Sequence, residues 1–261
     1  MSNRNALLGH TGFVGSNILA KRYFDECYNS KNIGELVGKR FREIVCSAVS
    51  AVKWKANQDP EEDWRGIETL LDALSHVQVD RFVLISTVDV YPNPRNVFED
   101  TDPSPLKNHA YGTHRLRVEK WVRSHFQNHH IIRLPGLFGS GLKKNIIFDL
   151  LNDRELHVIN PASSFQYYSL SRLSGDLDQV VQRGIPLLNL ATEPVSTAEI
   201  VRQFFPRHVV GQRAGSPAFY DFRSRHSGEW GRSDGYLYSA STVLDDLKRY
   251  LISQPRYQLP V

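Results

Sequence analysis

The heptapeptide Gly9-His10-Thr11-Gly12-Phe13-Val14-Gly15 decides the fold. It spaces three glycines as G-x-x-G-x-x-G, directly after the apolar run Ala6-Leu7-Leu8 and directly before a stretch, Ser16 to Phe24, with apolar residues at helical spacing. A glycine triplet between a strand and a helix is the context of a phosphate-binding turn. The first glycine permits a sharp exit from the strand, the second lets the backbone approach a pyrophosphate, and the third lets helix and strand pack closely. Amide groups at the helix start then face the phosphate charge. Gly9, Thr11, Gly12, Phe13, Val14 and Gly15 are therefore expected to contact a dinucleotide, NAD or NADP.

Outward from this turn, strands and helices alternate. Glu26-Cys27-Tyr28, residues 43–48, residues 81–87 and residues 130–134 read as strands. Asp59-Pro60-Glu61-Glu62 reads as a helix start, and the apolar positions Ile67, Leu70, Leu71 and Leu74 continue it; residues 109–126 form a second long helical stretch. The alternation implies βαβ units and a parallel sheet, an α/β Rossmann-like doubly wound fold. A dinucleotide-binding domain is expected over residues 1–140. A smaller substrate-side lobe is expected over 141–261, with a segment near 185–200 returning to the main sheet. Residues 206–236 carry little periodicity and read as loops.

The end of the second strand is where the adenosine ribose is read. An acid there binds a 2′-hydroxyl, whereas basic or hydroxyl groups accept a 2′-phosphate. Asn29-Ser30-Lys31 follows the second strand without an acid, so NADP is preferred; Glu35, about twenty residues beyond the turn, keeps NAD as the alternative.

Composition narrows the class. The 261 residues are 41% hydrophobic and 23% charged, with a formal charge of +4. Basic residues are scattered without a run, which argues against a nucleic-acid role. Cys27 and Cys46 do not form a C-x-x-C pair, and no histidines show ligand spacing, so no metal is expected. No apolar run approaches the length of a membrane span, and Met1 leads directly into the first strand without a signal peptide, so a cytoplasmic protein is expected.

Five features in order resemble the extended short-chain dehydrogenase/reductase family, the NAD-dependent epimerases, dehydratases and reductases of nucleotide sugars. They are the Gly9–Gly15 turn, Cys46-Ser47-Ala48, Ser86-Thr87-Val88-Asp89-Val90-Tyr91 (similar to S-[ST]-x-x-V-Y), Tyr111-Gly112-Thr113-His114-Arg115 (similar to Y-x-x-x-K), and Arg133-Leu134-Pro135-Gly136-Leu137-Phe138-Gly139. The resemblance covers roughly residues 5 to 200. It implies that Ser47 and Ala48 line the adenosine ribose and that Leu134, Gly136 and Leu137 lie beside the nicotinamide. It implies that Tyr111 is the acid/base, with Thr87 sharing the reacting oxygen of the substrate. It also implies a sugar-nucleotide substrate and a homodimer formed through the helix of Tyr111 and the one before it.

Two departures bear on the chemistry. Arg115 stands where the family carries lysine. One helical turn from Tyr111, it is expected to reach the ribose hydroxyls and to lower the tyrosine pKa, but a guanidinium is bulkier and forks its donors. Asp89 lacks the second acid that the family's dehydratases place beside it, which disfavours water elimination. On the substrate side, Asp89, Lys144, Asn145, Gln166 and Tyr168 are candidates, and Arg223, Arg225, His226 and Arg232 are a further candidate anion site. The leading reading is an NAD(P)-dependent oxidoreductase or epimerase acting on a sugar nucleotide. The rival is a non-catalytic NAD(P)-binding sensor or scaffold of the same fold, which Arg115 keeps open.

Overall fold

The computed structural model describes residues 3–255 and 257–258. Its chain divides into two units. The first comprises residues 1–93, 101–134 and 172–188; the second comprises 94–100, 135–171 and 189–261.

In the first unit, β1 (Asn5–Leu8), β2 (Glu26–Tyr28), β3 (Arg40–Cys46), β4 (Gln78–Thr87) and β5 (His129–Leu134) lie in the order β2-β1-β3-β4-β5, and a strand at Leu187–Asn189 closes the sheet beyond β5. The pairings β1–β2, β1–β3, β3–β4 and β4–β5 are all parallel. A parallel sheet is covered on both faces, so its strands are continuous apolar runs. Accordingly Ala6-Leu7-Leu8, Ile44-Val45, Phe82-Val83-Leu84 and Ile131-Ile132 are fully buried.

Four helices follow the strands: α1 (Phe13–Leu19), α2 (Lys53–Gln58), α3 (Pro60–Ser75) and α4 (Ala110–His125). α1 begins inside the glycine turn, with Gly12 as its N-cap, rather than at Ser16. It stops at Leu19 instead of continuing to Phe24, because the amides of Lys21 and Arg22 both turn back to the Ile18 carbonyl. α3 starts as its sequence dictates. The Asp59 side chain accepts from the Glu62 amide at 2.9 Å, Pro60 occupies the first turn, and Glu61, Glu62 and Asp63 sit at its positive end. Its Ile67, Leu70, Leu71 and Leu74 join the sheet core with Val118 and Val122 of α4. α2 is a single polar piece with only Ala56 buried, too short to show an apolar period. The helical segment Leu173–Gln182 also belongs to this unit.

The second unit has its own core, which includes Phe138, Ile147, Leu150, Val195, Ile200, Phe204, Val243 and Leu247. Gly136–Phe138 pairs with Tyr167–Ser169, and Ser164–Phe165 pairs with Val195–Ser196. The segment 94–100 joins it through Glu99, whose carboxylate accepts from the Asn189 amide, the Ser224 hydroxyl and the Arg225 amide at 2.6–2.8 Å. Residues 206–236 are mostly irregular, with one helical turn at Ser227–Trp230. Among the described residues no helix is long and apolar enough to cross a membrane, and no cluster of His, Cys, Asp and Glu is placed to hold a metal ion.

Candidate active site

The candidate residues of the first unit gather at the carboxyl ends of the parallel strands, where ligands bind in open α/β sheets. Gly9 follows β1, Asn29 follows β2, Ser47 follows β3, Thr87 ends β4 and Leu134 ends β5; the register pairs Thr87 with Leu134.

The glycine turn is shaped by two steric demands and one opening. Gly9 has φ +83°, and a Cβ there would lie 2.5 Å from the Ser47 carbonyl oxygen. A Cβ on Gly15 would lie 2.2 Å from the Gly9 carbonyl oxygen. At Gly12 the nearest atom is 3.3 Å away, so the protein's own packing demands glycine less there. The space a Cβ of Gly12 would fill is the approach a pyrophosphate needs, so these residues fit a dinucleotide. Thr11 is exposed, and Phe13 and Val14 are half-buried. Gly15→Ala is expected to cost about 1–3 kcal/mol of overpacking and to weaken dinucleotide binding. Thermal melts and calorimetry check this, and unchanged affinity in the variant contradicts it.

Beyond β2, the Asn29 and Asn32 side chains fold the loop on themselves, Asn29 Oδ1 accepting from the Lys31 amide at 2.9 Å and Asn32 Oδ1 from the Asn29 amide at 2.8 Å. This leaves Ser30 and Lys31 exposed at the strand end, while Glu35 lies farther on in the turn Ile33–Leu36. Ser47 donates to the Leu8 carbonyl at 2.9 Å, tying β3 to β1 next to the turn, and Ala48 follows it half-buried.

Thr87 and Tyr111 are brought together. Thr87 lies close enough to the Tyr111 phenol to act on it, and its hydroxyl accepts from the Asp89 amide at 3.2 Å. Three contacts that the sequence reading did not anticipate fix this geometry. The Tyr111 amide donates to Asn57 of α2 at 3.0 Å. Asn108 donates to the carbonyls of Asp89 and Val90 at 2.9 and 3.1 Å. Gly112 lets α4 lie so close to the turn Val88–Val90 that a Cβ would sit 2.2 Å from the Asp89 carbonyl.

Arg115 departs from expectation. Its fork grips Asp63 of α3, Nη1 to Oδ2 and, at 2.9 Å, Nη2 to Oδ1, while Nη2 also reaches the Ser50 carbonyl. Guanidinium and carboxylate are planar and complementary, so the bidentate pair outcompetes a reach towards ribose. Only Nε of Arg115 is left, buried and unbonded. The guanidinium carbon lies 4.1 Å from the centroid of the Tyr111 ring. Arg115 does pull the tyrosine pKa down, but not enough to bring it below the ordinary value. Burial, the largest cause, pushes the phenol above the ordinary tyrosine value; Arg115 pulls it down, and Asp89 and Asp63 oppose that pull.

Asp89 is paired with Lys53 of α2 at 3.0 Å. Asp63, Lys53 and Asn57 could not be found from motif spacing, because they come from helices about fifty residues before Tyr111. The one signal present was the acid-rich first turn of α3, which read simply as a helix start.

The remaining candidates lie in the second unit. Gly136 packs against residues 166 and 167, where a Cβ would sit 3.0 Å from the Gln166 carbonyl, and Leu137 beside it is half-buried. Gln166 does not present its amide to a ligand. Nε2 donates to the carbonyls of Thr192 and Phe222, and Oε1 accepts from the Phe222 amide, so its polar end is engaged by backbone. Asn145 caps the helix Ile146–Leu151 and donates to the Leu137 carbonyl at 2.8 Å. Tyr168 is buried near Tyr238, and Lys144 is exposed. The candidate anion site is corrected too: Arg223, Arg225 and Arg232 pair with Asp221, Asp100 and Asp234 respectively, so their charge is already balanced.

Comparison with known proteins follows from this geometry. Residues 27–154 match the model of the NAD dependent epimerase/dehydratase family. No curated protein matches the sequence. Among solved structures, the chain resembles dTDP-4-dehydrorhamnose reductase from Bacillus anthracis str. Ames in complex with NADP, with TM-score 0.72 and 16% identity over 97% of this chain and 99% of that one. It is equally similar to an NAD dependent NDP-hexosamine 5,6-dehydratase involved in tunicamycin biosynthesis, with the same TM-score, identity and coverage. A dTDP-glucose 4,6-dehydratase from Streptomyces venezuelae with NAD bound gives TM-score 0.70 at 16% identity, over 96% of this chain and 97% of that one. At such identity the structures share the fold, and the sequence match to the NAD dependent epimerase/dehydratase family covers residues 27–154, just under half of this chain.

Proposed function

We propose that the chain is an NAD(P)-dependent oxidoreductase or epimerase acting on a sugar nucleotide, with Tyr111 as its acid/base. The observation that carries this reading is the pairing of Thr87 and Tyr111 at the carboxyl end of β4, in the same unit as the Gly9–Gly15 turn. A bound nicotinamide supplies or accepts the hydride. Gly9, Gly12 and Gly15 admit the pyrophosphate, and Ser47 and Ala48 border the adenosine ribose. The exposed Ser30 and Lys31 favour a 2′-phosphate and hence NADP, with NAD the alternative. Thr87 and Tyr111 hold the reacting oxygen, and Tyr111 moves the proton. Burial of Tyr111 excludes water from that transfer, with 7% of its surface exposed. Arg115 supports Tyr111 through its ring. Asp89 and Lys144 remain the polar candidates on the substrate side. The reading carries with it a cytoplasmic homodimer using α3 and α4.

The test is a panel of sugar nucleotides and their keto derivatives, each incubated with NADPH or NADP and followed by nicotinamide absorbance and product analysis. Turnover of at least one substrate class is expected. The pairing of Arg115 with Asp63 favours the second reading, a non-catalytic NAD(P)-binding protein. That reading gains the decision if wild type is inert and Arg115→Lys creates a rate; a wild-type rate that falls on Arg115→Lys supports an enzyme built around arginine.

A further inference from the structure

Burial holds the Tyr111 phenol protonated; of the paired charges around it Arg115 acts most strongly, pulling the phenol down, and Asp89 and Asp63 oppose that pull. On its own helix, Arg115 stacks over the ring, and α3 brings Asp63 against the guanidinium in a bidentate bond. Both side chains are almost completely buried, and His114 adds a contact to Asp63 at 2.8 Å. From the turn after β4, Asp89 acts on the phenol, and α2 brings Lys53 against Asp89 at 3.0 Å. His109, the cap of α4, accepts from the Gly112 amide through Nδ1, with its ring centroid 6.2 Å from that of Tyr111. A lone cation near a buried phenol stabilises the phenolate; a cation held in a neutral pair does so far less.

We propose, resting on the oxidoreductase reading above, that Asp63 is a positioning residue: by locking the Arg115 guanidinium into a neutral pair over the Tyr111 ring, it keeps Tyr111 a proton donor and sets the site for reduction of a carbonyl. In that direction the carbonyl carbon accepts the hydride of a reduced nicotinamide, and the π pair moves onto the oxygen. That oxygen takes the Tyr111 proton, and the phenolate left behind regains a proton from water. Oxidation of an alcohol needs the opposite, a phenolate ready to accept the hydroxyl proton, and the Asp63–Arg115 pair withholds the charge that would stabilise one.

The test is ionisation of Tyr111 in the full-length protein without nucleotide, read from tyrosinate absorbance as the difference between each protein and its own Tyr111→Phe counterpart. Wild type is expected to keep Tyr111 protonated above the ordinary tyrosine value of 10.0. Asp63→Asn frees the Arg115 charge and is expected to bring the ionisation below that value, by about 1 pH unit or more. Loosened packing alone can return a buried tyrosine only to its ordinary value, so ionisation below it reports charge. The double variant Asp63→Asn/Arg115→Met, with neither charge, is expected to return Tyr111 above 10.0. Ionisation at or above the ordinary value in Asp63→Asn overturns the proposal, as does a double variant that stays as low as the single. Because the titration needs no turnover, it fails or succeeds independently of the substrate panel that tests the enzyme reading.

Discussion

Tyr111→Phe is expected to lower hydride transfer by about 10²–10⁴-fold, the usual contribution of a positioned acid/base group, while leaving dinucleotide affinity and folding nearly unchanged. The substitution removes one oxygen and keeps the ring. Phenylalanine therefore still fills the buried site under the Arg115 guanidinium, and the backbone amide at 111 still donates to Asn57. None of the glycine-turn contacts involves Tyr111. Steady-state rates on a substrate found in the panel, with calorimetry of the dinucleotide beside them, check the two halves of this expectation. Full activity in the variant removes Tyr111 from the chemistry; a loss of dinucleotide affinity equal to the loss of rate makes it a binding residue instead.

The second large effect is on stability. Glu119, with no exposed surface, accepts from Arg133 through Nε at 3.0 and 3.2 Å and through Nη2 at 2.6 Å, and from the Ser86 hydroxyl. Arg133, itself buried, also donates to the Tyr91 hydroxyl and lies over its ring. The network therefore ties β4, the turn after it, α4 and β5 together, one residue from Thr87 and two helical turns from Tyr111. Glu119→Ala leaves the Arg133 charge buried without its partner, and breaking such a pair costs about 3–5 kcal/mol. The urea midpoint should fall accordingly. Removing both partners, Glu119→Leu/Arg133→Met, is expected to recover much of the loss, because no uncompensated charge remains. A midpoint unchanged in Glu119→Ala contradicts the assignment of this network as the tie that holds β4 and α4 in register.

The fold was legible in the sequence wherever its signals were local. The glycine turn, the apolar runs of β4 and β5 and the capped start of α3 each lie within a few residues, and local sterics and burial decide them. Tyr111 and Thr87 were legible for the same reason, as motif positions on elements that the apolar pattern already placed. The partners that set the chemistry were not. Arg115 looks free to reach a ribose until α3 is packed beside it, and only then does Asp63 stand within reach of its fork. Lys53 and Asn57 ride on α2, whose single buried residue gives no period to read. Gln166 reads as a ligand-facing amide, but the backbone of residues 192 and 222 takes all its donors, and those residues lie far from it in the chain. Of the arginines near 223–232, Arg223 and Arg232 pair with acids two residues away, Asp221 and Asp234, a local balance the sequence reading passed over, and only the Arg225 partner Asp100 becomes a neighbour on folding.

The central claim is that the Gly9–Gly15 turn holds a nicotinamide dinucleotide, and calorimetric titration of NADP(H) and NAD(H) into protein stripped of bound nucleotide tests it most directly. The account predicts saturable binding, tighter for NADP(H) than for NAD(H) and weakened by Gly15→Ala. Failure of both dinucleotides to bind at millimolar concentration would contradict it, and with it every catalytic role assigned to Tyr111, Thr87 and Arg115.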